Sequence, residues 1–155
     1  MAGLMHDFYL LNRSEVDYWA YPNFYNHPQA IKIHDDVMHY LYDSLKWIPC
    51  HFPQRSGKLL ECNGLNLIGF TIIKDEGAAT AHRVFGSWAD LFSHGPLELE
   101  LTGLWSSIED EPESGRYETI VADRDKLVSS LRQISEYALR ASESESRLYI
   151  LHMGI

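Results

Sequence analysis

Between residues 97 and 142 the hydrophobic period of this chain changes from two to roughly 3.6, and that change constrains its fold more than any other feature. Leu97, Leu99 and Leu101 alternate with Glu98, Glu100 and Thr102, the pattern of a strand with one face wet. Leu127, Leu131, Ile134, Ala138 and Ala141 then repeat at intervals of four, three, four and three, one stripe of a helix over 126–142. Asp123 stands where an N-cap for that helix is needed. A half-buried strand and a striped helix each require an apolar partner. They satisfy one another in an α+β domain, here a single one over 1–155, with a mostly antiparallel sheet of about five strands and helices on one face.

The remaining elements follow from the same periods. The first third is aromatic and irregular, with Phe8, Tyr9, Tyr18, Trp19, Tyr21, Phe24 and Tyr25 interleaved with Pro22 and Pro28; a short strand is expected near 7–12, followed by loop. Val37, Leu41, Leu45 and Ile48 form a helix face that Pro49 closes. Residues 58–62 and 65–74 read as two strands around the turn Asn63-Gly64, a hairpin signal. Residues 80–93 predict a short or broken helix, with Gly86 weakening it. The acidic segment 109–115 separates strand 97–103 from a strand over 116–122, giving a hairpin with an acidic tip, and 147–153 predicts a central apolar strand.

Composition excludes several classes. No run approaches the ~20 apolar residues of a membrane span; the longest, 65–73, is interrupted by Asn66, Gly69 and Thr71. Residues 1–7 lack the features of a secretory signal, and two cysteines are too few for a disulfide scaffold, so a cytosolic protein is expected. The formal net charge is −9, unevenly spread: residues 98–155 hold twelve acidic and six basic side chains, residues 1–97 ten and seven. Such a surface repels phosphate backbones and steers basic partners toward itself.

Chemistry-bearing residues are sparse. Asp35 and His39 are four apart and share a helix face, as two metal ligands would. A third ligand is required, and His6, His27, Cys50, His51, Cys62, His82, His94 and His152 stand at no recognised metal spacing. The simpler account is that Asp35 and Asp36 favour the positive end of a helix while His39 lies on its exposed side. Cys50-His51 are adjacent and so rarely face each other, which makes a structural cysteine the expectation. Glu98 and Glu100 share a sheet face about 7 Å apart, usable by two-carboxylate chemistry and equally explained by solvation. Phosphate-binding glycine loops, serine elbows and dinucleotide fingerprints are absent from the sequence. No catalytic set, metal or cofactor is therefore assigned. Glu98, Glu100, Glu109, Asp110, Glu111, Glu113 and Glu118 form the candidate partner-binding surface, where charge would accelerate encounter with a basic partner and exposed aromatics would supply anchoring contacts.

Several segments together resemble the immunity proteins of bacterial polymorphic and contact-dependent toxin systems. They are Leu67-Ile68-Gly69-Phe70 as a strand, the aromatic segment Trp88-Ala89-Asp90-Leu91-Phe92, the alternating strand 97–103, the last amphipathic helix, and the closing Tyr149-Ile150-Leu151-His152-Met153-Gly154-Ile155. The resemblance is one of organisation, over about the last ninety residues, and specifies no binding residues. It implies a small cytosolic protein that binds a cognate toxin's C-terminal domain, in many such systems a basic nuclease, and blocks it. Two rival expectations are a small metal-dependent hydrolase using Asp35, His39 and one further histidine, and a small-molecule sensor whose aromatic N-terminal residues line a pocket between helix and sheet.

Overall fold

The computed structural model describes residues 3–13 and 30–155. Of the N-terminal aromatics expected to line a sensor's pocket, Phe8 and Tyr9 are buried in the two apolar clusters of the sheet, and Tyr18, Trp19, Tyr21, Phe24 and Tyr25 lie outside the described residues. The elements run β1 (Met5–Asn12), β2 (Ile31–His34), α1 (Asp35–Leu45), β3 (Pro49–Pro53), β4 (Leu59–Asn63), β5 (Phe70–Ile73), α2 (Asp75–Ser93), β6 (Glu98–Ile108), β7 (Glu111–Asp123), α3 (Arg124–Ser142) and β8 (Leu148–Met153). Among the described residues six strands form one antiparallel sheet in the order β2-β1-β8-β5-β3-β4, and β6 and β7 pair only with each other. The fold is α+β, as the two periods require, with six strands in the main sheet rather than five. Among the described residues no helix is long and apolar enough to cross a membrane.

Strand parity divides the sheet into two faces. Phe8, Ile31, Ile33, Cys50, Ile73 and Ile150 face the helices and share one core with Leu41 of α1, Phe85 of α2 and Leu131 of α3. Tyr9, Leu11, Ile72, Tyr149, Leu151 and Met153 form a second apolar cluster on the opposite face. A strand buried on both faces loses its polar alternation. This is why β8 reads as a continuous apolar run, and it occupies a central position between β1 and β5.

The five stripe residues of α3 are all buried, and Asp123 caps the helix, its carboxylate accepting from Lys126 N–H at 3.0 Å. The helix expected to be short or broken over 80–93 is continuous from Asp75 to Ser93. Gly86 is tolerated because α3 crosses there: a Cβ at Gly86 would stand 3.0 Å from Ser135 Oγ. Ser135 Oγ–H donates to His82 O at 2.7 Å, tying the two helices at the crossing.

Three further expectations are corrected. Residues 58–62 and 65–74 do not pair around Asn63-Gly64; β4 pairs with β3, and β5 lies between β3 and β8. The prolines bounding β3 hid it as a strand, but they sit at its two ends, where a missing N–H costs least. Gly64 does adopt the left-handed conformation (φ 93°), and its N–H donates to Ile48 O at 2.9 Å, which closes the β3–β4 pair. Of Leu67-Ile68-Gly69-Phe70, only Phe70 is strand. Helix α1 ends at Leu45, one turn before Pro49, with Ile48 buried in the connecting turn.

Truncating Leu131 to alanine should lower the free energy of unfolding by about 2–5 kcal/mol. Leu91→Ala, at an exposed position on α2, should change it by less than ~0.5 kcal/mol. Urea denaturation of both variants checks this; equal effects would contradict the assignment of the helix-facing core.

Candidate interaction surface

The β6–β7 hairpin is two structures in one. At its root Leu99 and Ile120 are buried in the common core, and Leu101 and Ala122 pack against it. Beyond Gly103 the ribbon leaves the body, and every residue from 104 to 113 is exposed. A two-stranded ribbon is barely stable by itself in water, so the root sets its geometry. Register breaks between Thr102 and Trp105, and again between Ser106 and Ile108, twist the distal half away from the root.

Strand β7 begins at Glu111 rather than Arg116, so the tip is only Glu109-Asp110 and not the whole segment 109–115. Asp110 adopts a left-handed backbone (φ 66°), which aspartate tolerates better than most residues. The Ser114 hydroxyl accepts from Ile108 N–H at 2.8 Å and donates to Glu111 O at 2.6 Å, bracing the turn.

The seven sequence-predicted carboxylates are all exposed, and among the described residues none takes part in an ion pair. They do not share one face. Glu98 and Glu100 point outward at the root, while Glu109, Asp110, Glu111 and Glu113 surround the tip. Glu118 has the parity of Ile120 and lines, with Asp36, His39 and Tyr40, a small cleft between the ribbon and α1. Asp123, omitted from the expected surface, stands directly opposite Glu98. Like charges at opposed positions destabilise a strand pair. From 98 to 123 the chain holds eight carboxylates and a single basic residue, Arg116.

Exposed aromatics were expected on this surface without being located, and its aliphatic residues were not expected. Leu104, Trp105, Ile108 and Tyr117 are each more than half exposed. Trp105 is nonetheless held in place: its ring lies across Gly115, where a Cβ would collide with it, and meets Tyr117 edge to face at 5.0 Å. The available signal was the apolar content of 104–108 beside a turn, where solvation alone would favour polar residues.

The metal-ligand pair has a different arrangement. His39 Nε2 lies 3.6 Å from Asp35 Oδ2, but the other carboxylate oxygen is taken by His6 Nε2 at 2.7 Å. Among the described residues no three His, Cys, Asp or Glu side chains gather in a way that could hold a metal ion. The cluster is instead a hydrogen-bonded chain across three strands and into α1. An ionised carboxylate only accepts, so His6 Nε2–H donates to Asp35. The Nδ1 of neutral His6 then accepts from His152 Nε2–H at 2.8 Å, and His152 Nδ1 accepts from the Thr71 hydroxyl at 3.3 Å. Thr71 Oγ1 in turn accepts from Asn66 N–H at 2.8 Å. Cys50 is buried, as expected of a structural cysteine, with its thiol pushed up to about 12 by burial and by the neighbouring Cys62.

Both imidazoles of this hydrogen-bonded line, His6 and His152, are fully buried. Burial pulls His6 below the ordinary 6.5, and the hydrogen bond and charge of Asp35 only partly oppose this. Burial and then the adjacent His6 push His152 well below that value. The unfolded chain therefore takes up protons first, so the stability these groups confer is complete above about pH 6.5 and declines as pH falls toward their folded values. Each contributes a slope of up to ~1.4 kcal/mol per pH unit. Urea midpoints between neutral and mildly acidic pH should fall more steeply for the wild type than for His152→Asn; identical slopes would refute the assignment. In comparisons with known proteins, no family model, curated protein or solved structure matches this chain.

Proposed function

We propose that this chain is an inhibitor of the immunity-protein kind, which binds a basic toxin domain through the β6–β7 ribbon and covers its working surface. The carrying observation is the composition of that ribbon: eight carboxylates and one cation flanking the exposed Leu104, Trp105, Ile108 and Tyr117. Unpaired carboxylates accelerate encounter with a positively charged protein. A pre-oriented aromatic pair supplies buried contact at little entropic cost on docking. The same charge disfavours nucleic acid as a direct ligand, and it suits a nuclease as target, because such an enzyme presents a basic surface to its own substrate.

Capture of the tagged chain from its native host should yield a stoichiometric basic protein, and co-expression should protect cells from that protein's toxicity. Lysine at Glu109, Glu111 and Glu113 together should slow association at least tenfold and weaken its salt dependence. Trp105→Ala should mainly hasten dissociation, by a factor of ten or more for an interface anchor. All these positions are exposed, so melting temperatures should change little. Recovery of no such partner, or a partner bound equally well by both variants, would defeat the proposal.

A further inference from the structure

Cys50 and Cys62 stand directly opposite one another across β3 and β4. Both side chains are on the helix-facing side of the sheet, Cys50 within the core and Cys62 packed against its edge. The hydrogen bonds at the two ends of this strand pair fix the type of every pair between them. Gly64 N–H donates to Ile48 O at 2.9 Å, and Gln54 N–H donates to Lys58 O at 2.8 Å. Bonded and non-bonded pairs alternate along an antiparallel ladder, so Cys50 and Cys62 form a bonded pair. Their α-carbons are then about 5.5 Å apart, inside the ~4.4–6.8 Å range that a disulfide spans.

Neither thiol is held away from the other by a strong partner. Cys50 Sγ–H donates to Ile48 O at 3.2 Å and Cys62 Sγ–H to Gly64 O at 3.8 Å. A cleft of about 510 Å³, lined by both cysteines with Pro49, Lys74, Asp75 and Glu76, opens beside them. Cys62 is the more accessible of the two.

We infer that Cys50 and Cys62 are a reversible disulfide site, oxidised by a low-molecular-weight disulfide that enters the cleft at Cys62. The Cys62 thiolate attacks one sulfur of the reagent and expels one equivalent of its thiol, leaving a mixed disulfide. Cys50 then loses its proton and attacks the Cys62 sulfur, expelling the second equivalent. Two protein thiols are oxidised, and the reagent takes up both electrons and both protons as two thiols. Bridging a bonded pair requires the local pleat to adjust, and a strained bridge is the readily reduced kind. Burial raises both thiols, to about 12 for Cys50 and about 11 for Cys62, so closure is slow at neutral pH and quickens about tenfold per pH unit below those values.

The test is incubation of the full chain with excess oxidised glutathione at mildly alkaline pH, followed by acid quench, alkylation and mass spectrometry. The expected product has lost two hydrogen atoms, takes up no alkylating agent, yields a peptide linking 49–53 to 59–63, and reverts with dithiothreitol. Cys50→Ser should stop at a glutathione adduct on Cys62, and Cys62→Ser should stay unmodified. Wild-type protein that keeps two alkylatable thiols, halts as the mixed disulfide, or links two chains together would overturn the inference. Circular dichroism of each variant confirms that an unreactive protein is a folded one. These outcomes do not depend on the toxin partner.

Discussion

The placement of β8 between β1 and β5 is the constraint on which the rest of this molecule depends. It pairs Asp7 through Asn12 with residues more than 135 positions away in sequence, and only then does the sheet have a middle. Both faces of β8 are buried: Ile150 and His152 toward the helices, Tyr149, Leu151 and Met153 on the other side. Pairings of such long range make the chain slow to commit, because loop closure must be completed before these contacts begin to stabilise it. The same pairing brings His152 to His6 and Thr71. The polar chain through the core is thus a product of strand register, and not of any local motif.

Two electrostatic solutions coexist in this fold. Inside, the Asp35 carboxylate is reached by a line of neutral donors that all point the same way, so each buried polar atom along the line has a partner. Outside, the ribbon carries most of the chain's net negative charge without local compensation. The first arrangement is costly to disturb and makes the interior sensitive to acid. The second is inexpensive to alter for stability, because solvent and salt screen it, and it governs what approaches the surface.

Local pattern was sufficient for α3, its cap, the central apolar strand and the alternating root of β6, because each is a period written over many residues. It was insufficient for β3, whose five residues begin and end in proline, and for the partner of β4, because alternation specifies a face and not a neighbour. The carboxylates were visible as a composition, but their division between two faces and a tip arises from strand parity and from register breaks that no residue type announces. Exposed aromatics were expected, yet Trp105 and Tyr117 could not be singled out, for a related reason: an apolar residue is assigned to the core by default, and only the structure places these two on a part of the ribbon with no core beneath it.

The main sheet ends in two short strands, β2 of four residues and β4 of five. The ribbon, by contrast, presents strands of eleven and thirteen residues, each with one row of backbone groups that no other strand among the described residues pairs. Long bare edges with exposed aliphatic and aromatic side chains are adhesive to copies of themselves. Glu98 and Glu100 on β6 and Glu111, Glu113 and Glu118 on β7 counter this, since an in-register alignment of two identical ribbons would set these carboxylates against their own copies. Mutual aversion among copies is therefore built into the same side chains that would welcome a cationic stranger.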